Sequence, residues 1–179
     1  FRDYWEKNRD KLDYEIDGIV VTVNDTATNR NAGMVGKTPR AAIAYKFEAK
    51  EATTIVENII IGVGRTGTLT PVALLKPVNI GGVTVSRATL HNEDEIKRLD
   101  IQIGDTVIVG RAGDVIPDVK QVLKDMRTGK EKIFNFPKNC PVCDGPVERK
   151  SGEAAYKCTN RNCPAIKREA VYHFISRGV

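Results

Sequence analysis

No run of apolar residues in this 179-residue chain approaches the ~20 that a membrane-crossing helix needs. No apolar leader opens it either, so a soluble cytoplasmic protein without a membrane partner is the expectation. Aromatic residues are scarce: between positions 51 and 137 only Phe134 and Phe136 occur. A platform on which unpaired bases stack is therefore not expected there. Histidine is limited to His91 and His173, and cysteine to four residues in the last third.

Those four are the most informative residues present. They fall as two close pairs, Cys140-Pro-Val-Cys143 and Cys158-Thr-Asn-Arg-Asn-Cys163, separated by a 14-residue insert. Four thiolates converging at about 2.3 Å satisfy a tetrahedral Zn²⁺, and two knuckles on facing hairpins supply them. Two alternatives remain. Disulfides need an oxidising compartment. A redox Cys-x-x-Cys usually opens a helix in a βαβ setting, whereas Pro141 and Gly145 mark a turn. Zinc is the leading reading, with Cys140, Cys143, Cys158 and Cys163 as its ligands. Four cysteines complete the tetrahedron, so His91 and His173 are read as non-ligands.

Charge is distributed unevenly. The net charge is +5, yet residues 138–179 alone carry 8 Lys/Arg against 4 Asp/Glu, while residues 51–137 balance 11 against 11. A basic metal module suits a polyanionic partner such as nucleic acid. A merely solvated basic surface is the bland alternative.

The first dozen residues read as the end of a helix, with Tyr4, Trp5 and Leu12 on its apolar side. Ile16–Val23 is nearly all β-branched and predicts a strand buried on both faces. Residues 24–40 predict a loop or short helix, and Ala41–Glu48 another strand. From about Thr53 short strands alternate with Gly/Pro turns, at 54–63, 68–75, 78–86, 101–110 and 115–123. Asn92, with Glu95 three residues later, predicts a helix cap between the third and fourth of these. Five strands with a helix in that place is the element order of an OB-fold. A basic amphipathic helix follows from Pro164 to Ser176. The chain opens in mid-helix and stops abruptly, as a piece of a longer polypeptide would.

Polar residues interrupt the strand patterns at three places. Glu15 and Asp17 lie two apart at the mouth of a strand, fit for a metal or a phosphate-bound Mg²⁺, or for a turn. Lys46 interrupts an apolar strand and, if buried, needs an anionic partner: a substrate phosphate or a structural Glu. Arg65 and Arg111 are flanked by glycines at strand edges, where backbone can approach a phosphate closely.

In this order, and followed by this cysteine module, these segments resemble bacterial NAD-dependent DNA ligase. The blocks are EIDGIVV (15–21), AIAYKF (42–47), VGRTGTLTPVA (63–73), VSRATLHN (85–92), IGDTVIV (103–109), RAGDVIP (111–117) and the four cysteines. They span essentially the whole chain. The resemblance implies a β-rich, mixed α+β chain. Residues 1–50 would be the C-terminal end of the nucleotidyltransferase (adenylation) domain, 51–137 the OB-fold, 138–165 the zinc finger and 166–179 the start of a helix-hairpin-helix region. It implies that Glu15, Asp17 and Lys46 belong to the nucleotide pocket, with Asp17 and Lys46 serving catalysis. Lys46 would stabilise charge on the AMP phosphate. Arg65, Thr66 and Arg111 would grip the DNA backbone around a nick, with Val115 and Ile116 against the minor groove. Zinc would be held here, and NAD and Mg²⁺ would serve the full-length parent. The partners would be nicked duplex DNA and the other domains of the same polypeptide, in replication and repair.

Two departures qualify the resemblance. The family nucleophile is the lysine of a Lys-x-Asp-Gly motif, and here the x-Asp-Gly positions open with Glu15 and Val142. Without that amine no lysyl-adenylate forms, so this chain alone is expected to be inactive towards NAD. Thr22 also stands where the family has a second lysine. The competing expectation is a non-catalytic nucleic-acid binder built from an OB barrel and a zinc ribbon.

Overall fold

Buried positions recur at every second residue along Lys50–Val63 (β5), and the phase shifts once, between Val56 and Ile59. That shift coincides with a bulge at Glu57–Asn58, which bends the strand while keeping apolar side chains inward. The computed structural model describes residues 1–14, 16–111 and 116–176. Two compact units are present, Phe1–Ala49 and a larger one that spans Lys50–Arg111 and resumes at Ile116. Glu15 and Val115 lie outside the described residues.

The smaller unit contains α1 (Arg2–Asn8), β1 (Gly18–Thr22), α2 (Thr26–Ala32), the short strands β2 (Met34–Val35) and β3 (Thr38–Pro39), and β4 (Ala42–Lys46). β1 and β4 pair antiparallel, Gly18 opposite Lys46 and Thr22 opposite Ala42. The expectation that β1 is buried on both faces is corrected: Val20 and Val21 are exposed. A two-stranded ribbon offers no third layer to cover them, so β-branching here reports strand propensity and not burial.

In the larger unit β5 continues into β6 (Leu69–Ile80), β7 (Val83–Thr89), α3 (Glu93–Leu99), β8 (Gln102–Ile103), β9 (Thr106–Arg111), β10 (Asp118–Val122) and β11 (Lys132–Ile133). A closed barrel runs in the order β10-β7-β6-β5-β9, and β9 pairs with both β5 and β10. The β7–β10 contact is parallel, and the other barrel pairs are antiparallel. This is the OB topology. Val56, Leu75, Ile80, Val85, Leu90, Val107 and Val109 fill its interior, and α3 adds Ile96 and Leu99. The predicted cap is present, with the Asn92 side chain accepting from the Glu95 N–H at 2.9 Å. The expected turn near Lys76–Pro77 is corrected. β6 runs through both residues, because the missing proline N–H falls where the ladder to β7 is already interrupted between Leu74 and Val78. The chain turns instead at Gly81–Gly82, both with positive φ.

Beyond the barrel come β12 (Val147–Glu148), β13 (Lys157–Cys158) and α4 (Pro164–Ser176). A second core joins them to the far end of the β5–β6 hairpin: Val63 and Leu69 pack with Cys140, Cys158, Cys163 and Ala165. Among the described residues no helix is long and apolar enough to cross a membrane.

Candidate functional site

The two cysteine knuckles are built by turns that point main-chain donors and thiols inward. Cys140 N–H donates to Gly145 O at 2.9 Å and Asp144 N–H to Cys140 O at 2.9 Å, with Asp144 in the left-handed region. A Cβ at Gly145 would sit 3.0 Å from Asn160 Cβ and 3.2 Å from Cys143 Sγ, so the knuckle is closed against a side chain. In the second knuckle Cys163 N–H donates to Asn160 O at 3.0 Å, and Cys163 O accepts from Lys167 at the start of α4.

The four Sγ atoms lie within 4.8 Å of one another. Cys140 Sγ faces Cys163 Sγ at 3.9 Å and Cys143 Sγ faces Cys158 Sγ at 3.6 Å. Tetrahedral zinc with Zn–S of about 2.3 Å requires sulfur separations of about 3.8 Å, so the cage fits. The same separations are far longer than a disulfide bond. Taken as bare thiols the ligands diverge. The Gly145 N–H, aided by the Asn160 side chain, holds Cys143 down to about 7, and burial pushes Cys158 up to about 12. A bound dication removes that conflict by stabilising every thiolate. The clustered ligands among the described residues include neither histidine.

Asp17 and Lys46 meet across the β1–β4 ladder. Phe47 N–H donates to Asp17 O at 2.9 Å, and Lys46 Nζ stands 3.7 Å from Asp17 Oδ2. Lys46 is 75 % exposed and Asp17 56 % exposed, so burial does not force a partner on this lysine. Its partner is the Asp17 carboxylate, not a structural Glu. Between them Gly18 has no room for a side chain, since a Cβ would fall against the Tyr45 carbonyl oxygen.

Arg65 and Thr66 form the exposed tip of the β5–β6 hairpin, and Thr66 Oγ1 lies 3.0 Å from Thr68 Oγ1. Arg111 ends β9 opposite Lys50, at the start of β5. The two arginines therefore stand at opposite ends of a 14-residue strand, up to about 45 Å of extended chain apart. They are not brought together. Ile116 is 73 % exposed. A cleft of about 470 Å³ lies between Arg65 and the α4 residues Glu169, Tyr172, His173, Ile175 and Ser176.

Sequence reasoning gave Gly67 only as a flank of Arg65, and it missed Tyr156 and Arg149. Tyr156 O accepts from Leu69 N–H at 2.8 Å. Arg149 donates to both oxygens of Asp94 on α3 and stacks over the Tyr156 ring at 5.7 Å. Leu69 and Tyr156 lie 87 positions apart and Asp94 and Arg149 lie 55 apart, and no local pattern announces either link.

Comparison with known proteins agrees with this geometry. Family models match three consecutive stretches: the NAD-dependent DNA ligase adenylation domain at residues 1–50, the OB-fold domain at 53–131 and the C4 zinc finger domain at 139–165. Proteins named DNA ligase from Halothermothrix orenii, Koribacter versatilis and Clostridioides difficile are 55%, 59% and 54% identical to it over 174, 176 and 175 residues. Each alignment takes in 97% or 98% of this chain, which spans about a quarter (26%) of each relative's length. With its barrel, its four-thiol cage and near-complete alignment to these relatives, the chain belongs to the NAD-dependent DNA ligase family.

Proposed function

We propose that this chain is the part of an NAD-dependent DNA ligase that holds a nicked duplex and contributes two residues to the nucleotide pocket. The observation that carries the reading is one packed body of OB barrel and four-thiol module, presenting an exposed arginine at a hairpin tip. The division into adenylation-domain end (1–50), OB-fold (51–137), zinc finger (138–165) and helix-hairpin-helix start (166–179) belongs to the same proposal, as does a cytoplasmic location.

The parent enzyme would take AMP from NAD onto a lysine, pass it to a 5′ phosphate and expel it as the adjacent 3′ hydroxyl attacks. Lys46 is suited to the phosphate. An exposed ammonium 3.7 Å from one carboxylate forms a weak pair, readily exchanged for a phosphate oxygen. Asp17 then orients the ammonium or receives Mg²⁺. Arg65, Thr66 and Arg111 contact backbone phosphates, and Ile116 contributes apolar contact in the minor groove. Cys140, Cys143, Cys158 and Cys163 hold the zinc. The chain has no Lys-x-Asp-Gly lysine and is expected to form no adenylate by itself.

Binding of the chain to nicked and intact duplexes of one sequence, across several salt concentrations, tests the reading. Tighter binding to the nick with a steep salt slope is expected. Equal, weak binding to both would assign nick recognition elsewhere and leave this chain as scaffold.

A further inference from the structure

The tip that carries Arg65 and Thr66 is backed by the metal module and not by its own barrel. Gly64 N–H donates to Thr68 O and Gly67 N–H to Gly64 O, both at 2.9 Å, closing a tight turn with Gly67 at φ 80°. β13 takes the inner edge of that turn. Cys158 N–H donates to Gly67 O at 2.8 Å, Leu69 N–H donates to Tyr156 O at 2.8 Å, and Thr68 bridges Lys157. The result is a ribbon of β12, β13 and the hairpin tip, with a metal ligand in its middle strand.

Packing is as close as the hydrogen bonding. A Cβ at Gly67 would stand 2.7 Å from Cys158 O and 3.3 Å from Ile166 Cδ1 of α4. Only glycine accepts both that contact and the left-handed backbone. Beneath the turn, Val63 and Leu69 share one core with three of the four cysteines. The neighbouring Tyr156 is held in turn by Phe136, with ring centroids 5.1 Å apart, and by Arg149 anchored on Asp94. The main chain of Cys158 thus supports the tip while its sulfur belongs to the cage.

We infer that metal occupancy of the four-cysteine site fixes the Arg65–Thr66 tip for phosphate contact, with Gly67 and Cys158 as positioning residues. Zinc then acts on DNA affinity through the barrel's own hairpin, besides any contribution from the basic zinc module. The inference deepens the proposed function, since it rests on Arg65 touching DNA. The physical reason is entropic. A tip detached from β13 samples many directions, and that freedom is lost again each time the arginine meets a phosphate.

Two readouts on the whole 179-residue chain test it. The first is amide exchange by NMR with zinc bound and after chelation. Protection at Gly64, Gly67 and Leu69 is expected to fall at least about tenfold while Val107 and Val109, in the barrel core, keep theirs. Unchanged protection at the tip would overturn the inference.

The second readout is the salt dependence of binding to a short intact duplex. Arg65→Ala is expected to lower the slope by about one. Gly67→Ala with zinc present should weaken binding at every salt concentration, by no more than Arg65→Ala does, and add nothing in an Arg65→Ala background. Full-strength binding by Gly67→Ala, or additive losses in the double variant, would sink the positioning role. If Arg65→Ala leaves the slope intact while tip exchange still follows zinc, it is the DNA-contact reading that fails.

Discussion

Asp105 has almost no access to water, 1% exposed, and three hydrogen bonds satisfy its oxygens. Arg127 donates to both of its oxygens at 2.7 and 2.9 Å, and the Gln102 N–H adds a third bond at 2.7 Å. Asp100 and Asp105 together raise the Arg127 pKa, the Asp105 hydrogen bond contributing most. Arg127→Ala would strand a buried carboxylate, at a cost of about 3 kcal/mol. Urea unfolding at neutral pH measures it. In an Asp105→Asn background the same substitution should cost much less, and equal costs in the two backgrounds would deny the pairing. Glu131 works differently, on the surface. Its carboxylate accepts from Thr128 N–H at 2.7 Å and Gly129 N–H at 2.8 Å, and the Thr128 main-chain bond is the largest cause holding its pKa down to about 2. A depressed carboxylate contributes stability above its unfolded pKa of about 4.3, and that contribution disappears as pH falls towards about 2. Thermal melts of Glu131→Gln should therefore lie below the parent at pH 6 and converge with it between about pH 4 and pH 2. A gap that persists at pH 2 would point to a role other than charge.

At the scale of elements, what could be read from sequence was what local chemistry encodes. The helix cap at Asn92, the five barrel strands and the cysteine cage each carry their signal within a few residues. Their order sufficed for the OB-fold. Burial was less legible. Val20 and Val21 have the composition of a core strand yet face solvent, and Lys46 sits among apolar neighbours in sequence yet is exposed. Composition sets strand propensity, but burial depends on which layer covers a face. The Lys76–Pro77 turn failed for a related reason: a proline is compatible with a strand where the ladder is already broken, and the break lies in the pairing with β7. Least legible of all was the seam between barrel and metal module. Thr68 and Lys157 bridge across 89 positions, and the only local hint is a glycine between two threonines.

For the molecule as a whole, the separation along β5 of the two arginines proposed to contact DNA has a thermodynamic consequence. Contacts that share no partner and stand well over 10 Å apart contribute independently. Arg65 lies beyond the Val63 end of that strand and Arg111 opposite its Lys50 end. At opposite ends of the strand the two side chains would meet different phosphates. Arg65→Ala and Arg111→Ala should each flatten the salt slope by about one, and the double variant by about two. Both losses should be alike for every duplex sequence, because phosphates carry no base identity. Equilibrium titrations of the single and double variants on two unrelated duplexes decide the matter. A loss confined to one sequence would mean that an arginine reads base edges. A double variant no weaker than either single one would mean that the two grip a common feature of the DNA, which their placement at opposite ends of β5 does not support.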